Sequence, residues 1–180
     1  MFLLRMLMRR GRGPAMDPLH VSMTGVRMGE RFLQIGCNDR SLLAGLAAKV
    51  GLSGTSAVAA FNEKQVTLAQ SIGARVGALI EIKEIRAGRE WPFGESEFDM
   101  IVVDDTNGAF GKIDEAGRVA CLRDAKRSVR PGGRIEVIEG AAERAAGYDA
   151  LRDLTTAGFK PVRELAEKDG FRFLEGLRTT

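Results

Sequence analysis

Residues 32–42 read FLQIGCNDRSL: an apolar run, a glycine, short polar side chains, an arginine, then a second apolar run. A buried strand that turns sharply at Gly36 and enters a helix leaves backbone N–H groups free at the helix start. Nucleotide-like ligands bind at such turns in α/β folds. Asn38 tolerates a positive φ. Cys37 stands where a helix start can lower a thiol pKa, although a small residue that fits the turn accounts for it equally well. Asp104, Asp105 and Glu139 close two other apolar runs. Asp104 or Asp105 can face a ligand at that edge; equally, Asp105, Thr106 and Asn107 can simply turn the chain.

Other chemistries find little support. His20 is the only histidine, so a Ser-His-Asp or Cys-His device would have to use it, far from any nucleophile-like turn. It reads as a surface or packing residue. No metal-ligand spacing is present. Cys37 and Cys121 fall inside expected regular structure and read as reduced thiols of a cytoplasmic protein. The formal net charge is +3, and the four arginines Arg5, Arg9, Arg10 and Arg12 exceed it by themselves, leaving the rest near neutral. No basic face interleaved with aromatics is available to bind nucleic acid.

The elements that must position these residues follow from periodicity and breakers. Arg31–Gly36 is an apolar strand. Ser41–Val50 is a helix closed by Gly51. Ser56–Ala60 is a second strand. Asn62 caps a helix, with Gln65 at the capping-box position, that runs to about Ile72 and ends at Gly73. Ala78–Ile85 is a third strand. Residues 86–97 are a loop carrying Trp91. Phe98–Asp105 is a fourth strand; its core Met100-Ile101-Val102-Val103 has no polar alternation, so both of its faces are buried. Asp114 caps a helix to Val129, Pro131-Gly132-Gly133 breaks it, and Arg134–Ile138 is a fifth strand. Tyr148–Ala157 is a helix. Phe159–Lys168 and Phe171–Arg178 are extended runs joined by Asp169-Gly170, a hairpin turn signal.

The first residues stand apart. Residues 1–13, MFLLRMLMRRGRG, place Arg5, Arg9 and Arg12 on one stripe of a helix beside apolar residues. Such a segment is too short to span a bilayer, and its charges follow the apolar run, unlike a secretory signal. It reads either as a frayed start ahead of a later initiator methionine or as a basic amphipathic helix that docks on a membrane surface, at its inner face, or on a protein partner. Six of the seven methionines fall within the first 28 residues, which suits an adaptable contact surface. Residues 14–30 read as a linker or lid ahead of a domain over residues 31–180.

Five strand–helix units and a closing hairpin resemble the class I S-adenosylmethionine-dependent methyltransferases. The stretches that carry the resemblance are FLQIGC, WPFGESEFDMIVVDD, AKRSVRPGGRIEVIE and AGFKPVRELAEKDGFRFLEGLR. Within the class, MTGVRMGERFLQIGC is most similar to small methyltransferases of the quinone-biosynthesis type. The resemblance implies a doubly wound, Rossmann-like α/β fold with a seven-stranded, mostly parallel sheet ending in an antiparallel hairpin. It places S-adenosylmethionine against Gly36, Cys37, Asn38, Asp39, Ala60, Phe61, Ala87, Gly88, Asp104 and Asp105.

At several of these positions the expected side chain is absent. The resemblance implies glycine at Asn38 and Arg40, and Arg40 would set a long cationic side chain in the path of a sulfonium ligand. An acid in the first strand is replaced by Gln34, the ribose acid by Ala60, and the adenine-side acid by Ala87. Glu63, Glu84 and Glu90 lie nearby in other registers. A charged hydrogen bond is worth about 1.5–3 kcal/mol; losing one with two further contacts weakens binding on the order of a thousandfold. The sequence therefore leans toward an eroded donor site in a non-catalytic accessory subunit. The alternative is an active methyltransferase acting on a small or lipid-like acceptor of the quinone type. No catalytic residue is assigned.

Overall fold

A computed structural model describes residues 16–86 and 88–180. In chain order the elements are α1 (Pro18–Met23), β1 (Arg31–Ile35), α2 (Arg40–Val50), β2 (Thr55–Ala60), α3 (Glu63–Val76), β3 (Ile80–Glu84), β4 (Phe98–Asp105), α4 (Glu115–Ser128), β5 (Val129–Gly140), α5 (Ala150–Ala157), β6 (Val162–Lys168) and β7 (Phe171–Leu177). They form one seven-stranded sheet in the order β3-β2-β1-β4-β5-β7-β6. β1 to β5 pair in parallel, and β7 pairs antiparallel with both β5 and β6. The chain leaves β1 for β2 on one side and later returns to lay β4 on the other. That reversal makes the carboxyl end of β1 the natural ligand crevice of the sheet.

The two faces explain the unalternating apolar runs. Leu33, Ile35, Ile101, Val103, Ile135 and Val137 face one core, with Leu122, Ala125 and Leu154 of α4 and α5. Phe32, Val58, Ala60, Met100 and Val102 face the other, with Leu42, Leu43, Leu46 and Ile72 of α2 and α3. Because side chains alternate along a strand, the same arithmetic sends Asp104 toward the α2 face and Asp105 toward the α4 face.

Local signals account for most element ends. Asp39, Asn62, Asp114 and Asp149 each accept a backbone N–H at the start of a helix. Asp169 and Gly170 both adopt positive φ, 51° and 84°, closing the β6–β7 hairpin. Several ends differ from expectation: β5 begins at Val129 and runs through the Pro131-Gly132-Gly133 expected to precede it, and β6 begins at Val162, not Phe159. α3 continues through Gly73 to a left-handed Gly77. Gly73 packs instead against the chain entering β3: a Cβ there would lie 3.0 Å from the Ala78 carbonyl and 3.4 Å from the Ile80 side chain.

The segment expected as a linker or lid contains α1. Asp17 caps it in a reciprocal arrangement with His20. His20 is buried, edge-on to Phe171 at 5.1 Å, with Nε2 3.2 Å from Asp169 Oδ2 at the hairpin tip. Met16, Val21 and Val26 join the α2-side core. This histidine packs and pairs, and it lies outside the cleft described below. Residues 1–13, for which membrane or partner docking was expected, lie outside the described residues.

Candidate functional site

The turn after β1 is built by backbone and carboxylate together. Gly36 has φ 75°, a value other residues rarely adopt, and its N–H donates to the Ala59 carbonyl at 2.9 Å. Asp104, at the end of β4 and 1% exposed, organises the rest. Its Oδ2 accepts the N–H groups of Asn38 at 2.7 Å and Asp39 at 2.9 Å. Its Oδ1 accepts the Thr106 hydroxyl at 2.6 Å and the Thr106 N–H at 3.2 Å. Burial pushes the Asp104 carboxyl up, and these hydrogen bonds pull against it. Gln34 sits beneath, donating to the Gly36 carbonyl at 3.0 Å.

Amides close the side toward β2. Asn62 Oδ1 accepts the Gln65 N–H at 3.0 Å and caps α3. The Gln65 side chain reaches back to accept the Phe61 N–H at 2.8 Å and donates to Asn38 Oδ1 at 3.1 Å. Asn38 Nδ2 donates onward to the Asp104 carbonyl at 2.9 Å. The result is a cleft of about 380 Å³ over the tips of β1, β2 and β4. Its polar lining is Asn38, Asn62, Gln65, Arg86 and Asp104; its apolar lining includes Phe61, Ile85, Phe110 and Ile113. The Phe61 and Phe110 ring centroids are 6.4 Å apart. Apolar walls above a polar floor suit a flat heteroaromatic ring joined to a hydrogen-bonding tail.

Asp105 points away from this cleft and shapes it from behind. Its Oδ1 accepts the N–H groups of Phe110 at 2.8 Å and Gly111 at 3.1 Å, which fixes the loop that presents Phe110. Burial raises its pKa to about 7. Tyr148 packs on the far side of Phe110, 6.3 Å between ring centroids. The Arg118 guanidinium lies 4.8 Å over the Tyr148 ring. Arg118 also pairs with Asp153 at 2.6 Å and donates to the carbonyls of Gly111, at 3.1 Å, and Ile113.

Of the residues singled out in the sequence, the cleft brings together Gly36, Asn38, Phe61 and Asp104. The others stand elsewhere. Cys37 is buried in the α2-side core, and burial lifts its thiol to about 12, so it is no thiolate. Asp39 caps α2. Ala60 is fully buried and faces the α3 side. Gly88 lies on an exposed turn after β3, and Ala87 lies outside the described residues.

Arg40 departs most from expectation. It is exposed at the first position of α2 and lines an outer groove with Glu63 and Lys64, because the helix start turns its side chain away from the sheet edge. It does not obstruct the cleft, and Glu63, Glu84 and Glu90 do not line it. Sequence reasoning missed Gln65, Arg86, Phe110 and Ile113 as lining residues. Gln65 did carry a signal, as the capping-box partner of Asn62, but its side chain bonds Phe61 instead.

The chain matches the ubiE/COQ5 methyltransferase family over residues 17–175. It is 26% identical over 158 residues to the ubiquinone/menaquinone biosynthesis C-methyltransferase UbiE of Edwardsiella ictaluri, covering 86% of this chain and 61% of that protein. The UbiE of Cronobacter sakazakii is 27% identical over 158 residues, with 86% of this chain and 61% of that protein covered. The chain thus spans about three-fifths of the length of these relatives. Among solved structures, a SAM-dependent methyltransferase from Aquifex aeolicus superposes with a TM-score of 0.70 at 18% identity, covering 90% of this chain and 89% of that one. PigF with SAH superposes at 0.66 and 17% identity, covering 91% and 62%. At such identities these two likenesses concern the fold.

Proposed function

The chain belongs to the ubiE/COQ5 methyltransferase family, and from that premise we propose that its cleft takes S-adenosylmethionine for methyl transfer to a small or lipid-like acceptor of the quinone type. The acceptor class is drawn from the names of its relatives. One observation carries the reading: the turn at Gly36, pinned by Asp104 at the strand-order switch, opens a walled cleft in the place where this fold class holds its ligand. Phe61, Ile85, Phe110 and Ile113 suit an adenine ring. The backbone of residues 36–38 suits the methionine end.

Bound there, the donor supplies an electrophilic methyl group on a sulfonium sulfur. Its transfer depends chiefly on alignment with the acceptor nucleophile, so the lack of an assigned base does not count against activity. With Arg40 turned outward, the reading of the chain as a non-catalytic accessory subunit rests on the neutral residues Gln34, Ala60 and Ala87 at positions where the family resemblance implies acids. The basic amphipathic pattern of residues 1–13 supports attachment to a membrane surface or a protein partner as part of this proposal. Among the described residues no helix is long and apolar enough to cross a membrane.

The proposal is tested by calorimetric titration of the purified protein with S-adenosylmethionine and S-adenosylhomocysteine. Dissociation constants in the micromolar range are expected. Silence at millimolar concentrations of both ligands would overturn the proposal in favour of the accessory role.

A further inference from the structure

We infer that the side-chain amides of Gln65 and Asn38 grip the ribose diol of the ligand, where Rossmann-type sites commonly use a carboxylate after the second strand. This rests on the adenosyl-binding role proposed above. Both side chains line the cleft and meet over its floor. A Cβ at Gly36 would lie 3.5 Å from Asn38 Nδ2 and 3.8 Å from Gln65 Nε2.

The hydrogen-bonding capacity fits. A primary amide offers two N–H donors and two acceptor sites on oxygen. Gln65 spends one acceptor site on the Phe61 N–H and one donor on Asn38. Asn38 spends one donor on the Asp104 carbonyl and one acceptor site on Gln65. Each amide keeps one N–H and one lone pair. A vicinal diol asks for that combination, since one hydroxyl can donate to the oxygen while the other accepts from the nitrogen. Gln65 is 6% exposed and tied at both ends of its amide, so its rotamer is fixed before a ligand arrives.

The other groups at this end of β2 do not serve. Ala60 is apolar and buried, Glu63 lines the outer groove beside Arg40, and the Asn62 oxygen caps α3. The grip is consequently neutral. It holds the sugar without attracting the sulfonium, and it places no charge beside the ribose.

The test is calorimetry with S-adenosylhomocysteine and its 2′,3′-dideoxy analogue on the wild-type chain and on Gln65→Leu. The wild-type chain is expected to prefer the diol by roughly tenfold, about the worth of one good hydrogen bond. Gln65→Leu is expected to bind S-adenosylhomocysteine roughly tenfold more weakly, to bind the dideoxy analogue as the wild type does, and so to lose the preference. A merely structural role would weaken both ligands alike, and that result overturns the inference, as does an intact preference in the variant. Gln65→Glu, which keeps the length and adds an acceptor, is the second variant should leucine unfold the chain; it is expected to retain the preference, and equal affinities would overturn the inference. If the wild-type chain binds neither ligand, it is the proposed function that fails.

Discussion

Asp104→Ala is expected to abolish binding of adenosyl ligands and to destabilise the fold by about 2–4 kcal/mol. The size follows from what the carboxylate holds. Two N–H groups of the β1 turn, from Asn38 and Asp39, and the N–H and hydroxyl of Thr106 all end on it. A buried donor left without a partner costs roughly 1–3 kcal/mol. Several are orphaned at once, though the turn can relax toward water and recover part of the loss. The unfavourable burial of the carboxylate, which pushes its pKa up, is also relieved and trims the total. Binding suffers more than stability, because the relaxed turn no longer frames the cleft. Urea unfolding reads the first effect as a lower midpoint at an unchanged slope, and calorimetry with S-adenosylhomocysteine reads the second. Asp104→Asn keeps the shape but turns one set of acceptors into donors facing N–H groups, so it is expected to fall between the wild type and alanine.

The second large effect is expected at Arg118. Arg118→Met should cost about 3 kcal/mol, because it leaves the buried Asp153 carboxylate with only the half-exposed Arg152 guanidinium, 3.8 Å away, as a partner. Asp153 is fully buried, and Arg118 is 5% exposed. For a chain of this size the loss corresponds to a fall in Tm of about 10 °C. The double variant Arg118→Met/Asp153→Leu is expected to be more stable than Arg118→Met alone, since it removes the stranded charge. It does not restore the cleft. Without the guanidinium, the carbonyls of Gly111 and Ile113 lose their donor, and the Phe110 wall is less well fixed. Differential scanning calorimetry separates the single from the double variant. An equal or lower Tm for the double would show that the stranded carboxylate is not the source of the loss.

These two sites show which parts of the molecule were legible from residues alone. The sheet was legible because β4 carries an unbroken apolar run and Asp169-Gly170 admits only a tight turn. Asp104 was identified as a residue at the right edge. Its partners in the turn after β1 were not, since they are backbone N–H groups 66 and 65 residues away in sequence. α1 escaped notice because His20 stands at the position where a capping box normally has Glu or Gln. Arg40 was misjudged because the sequence gives its place in the turn but not its direction, which the first helical position decides. Phe110 and Ile113 sit among glycines and polar residues in the loop after β4. No periodicity marks them as a wall, and only the hold of Asp105 and Arg118 on that loop makes them one. Gln65 was read for its place at the helix start, while its side chain turned out to bridge the cleft.

The central claim is that the crevice between the tips of β1 and β2 seats an adenosyl ligand. A crystal of the full chain grown with S-adenosylhomocysteine tests it most directly. The expected map shows the adenine between Phe61 and Phe110, with the ribose hydroxyls at the Gln65 and Asn38 amides. A ligand held elsewhere on the surface, or an empty crevice at saturating ligand, would contradict it.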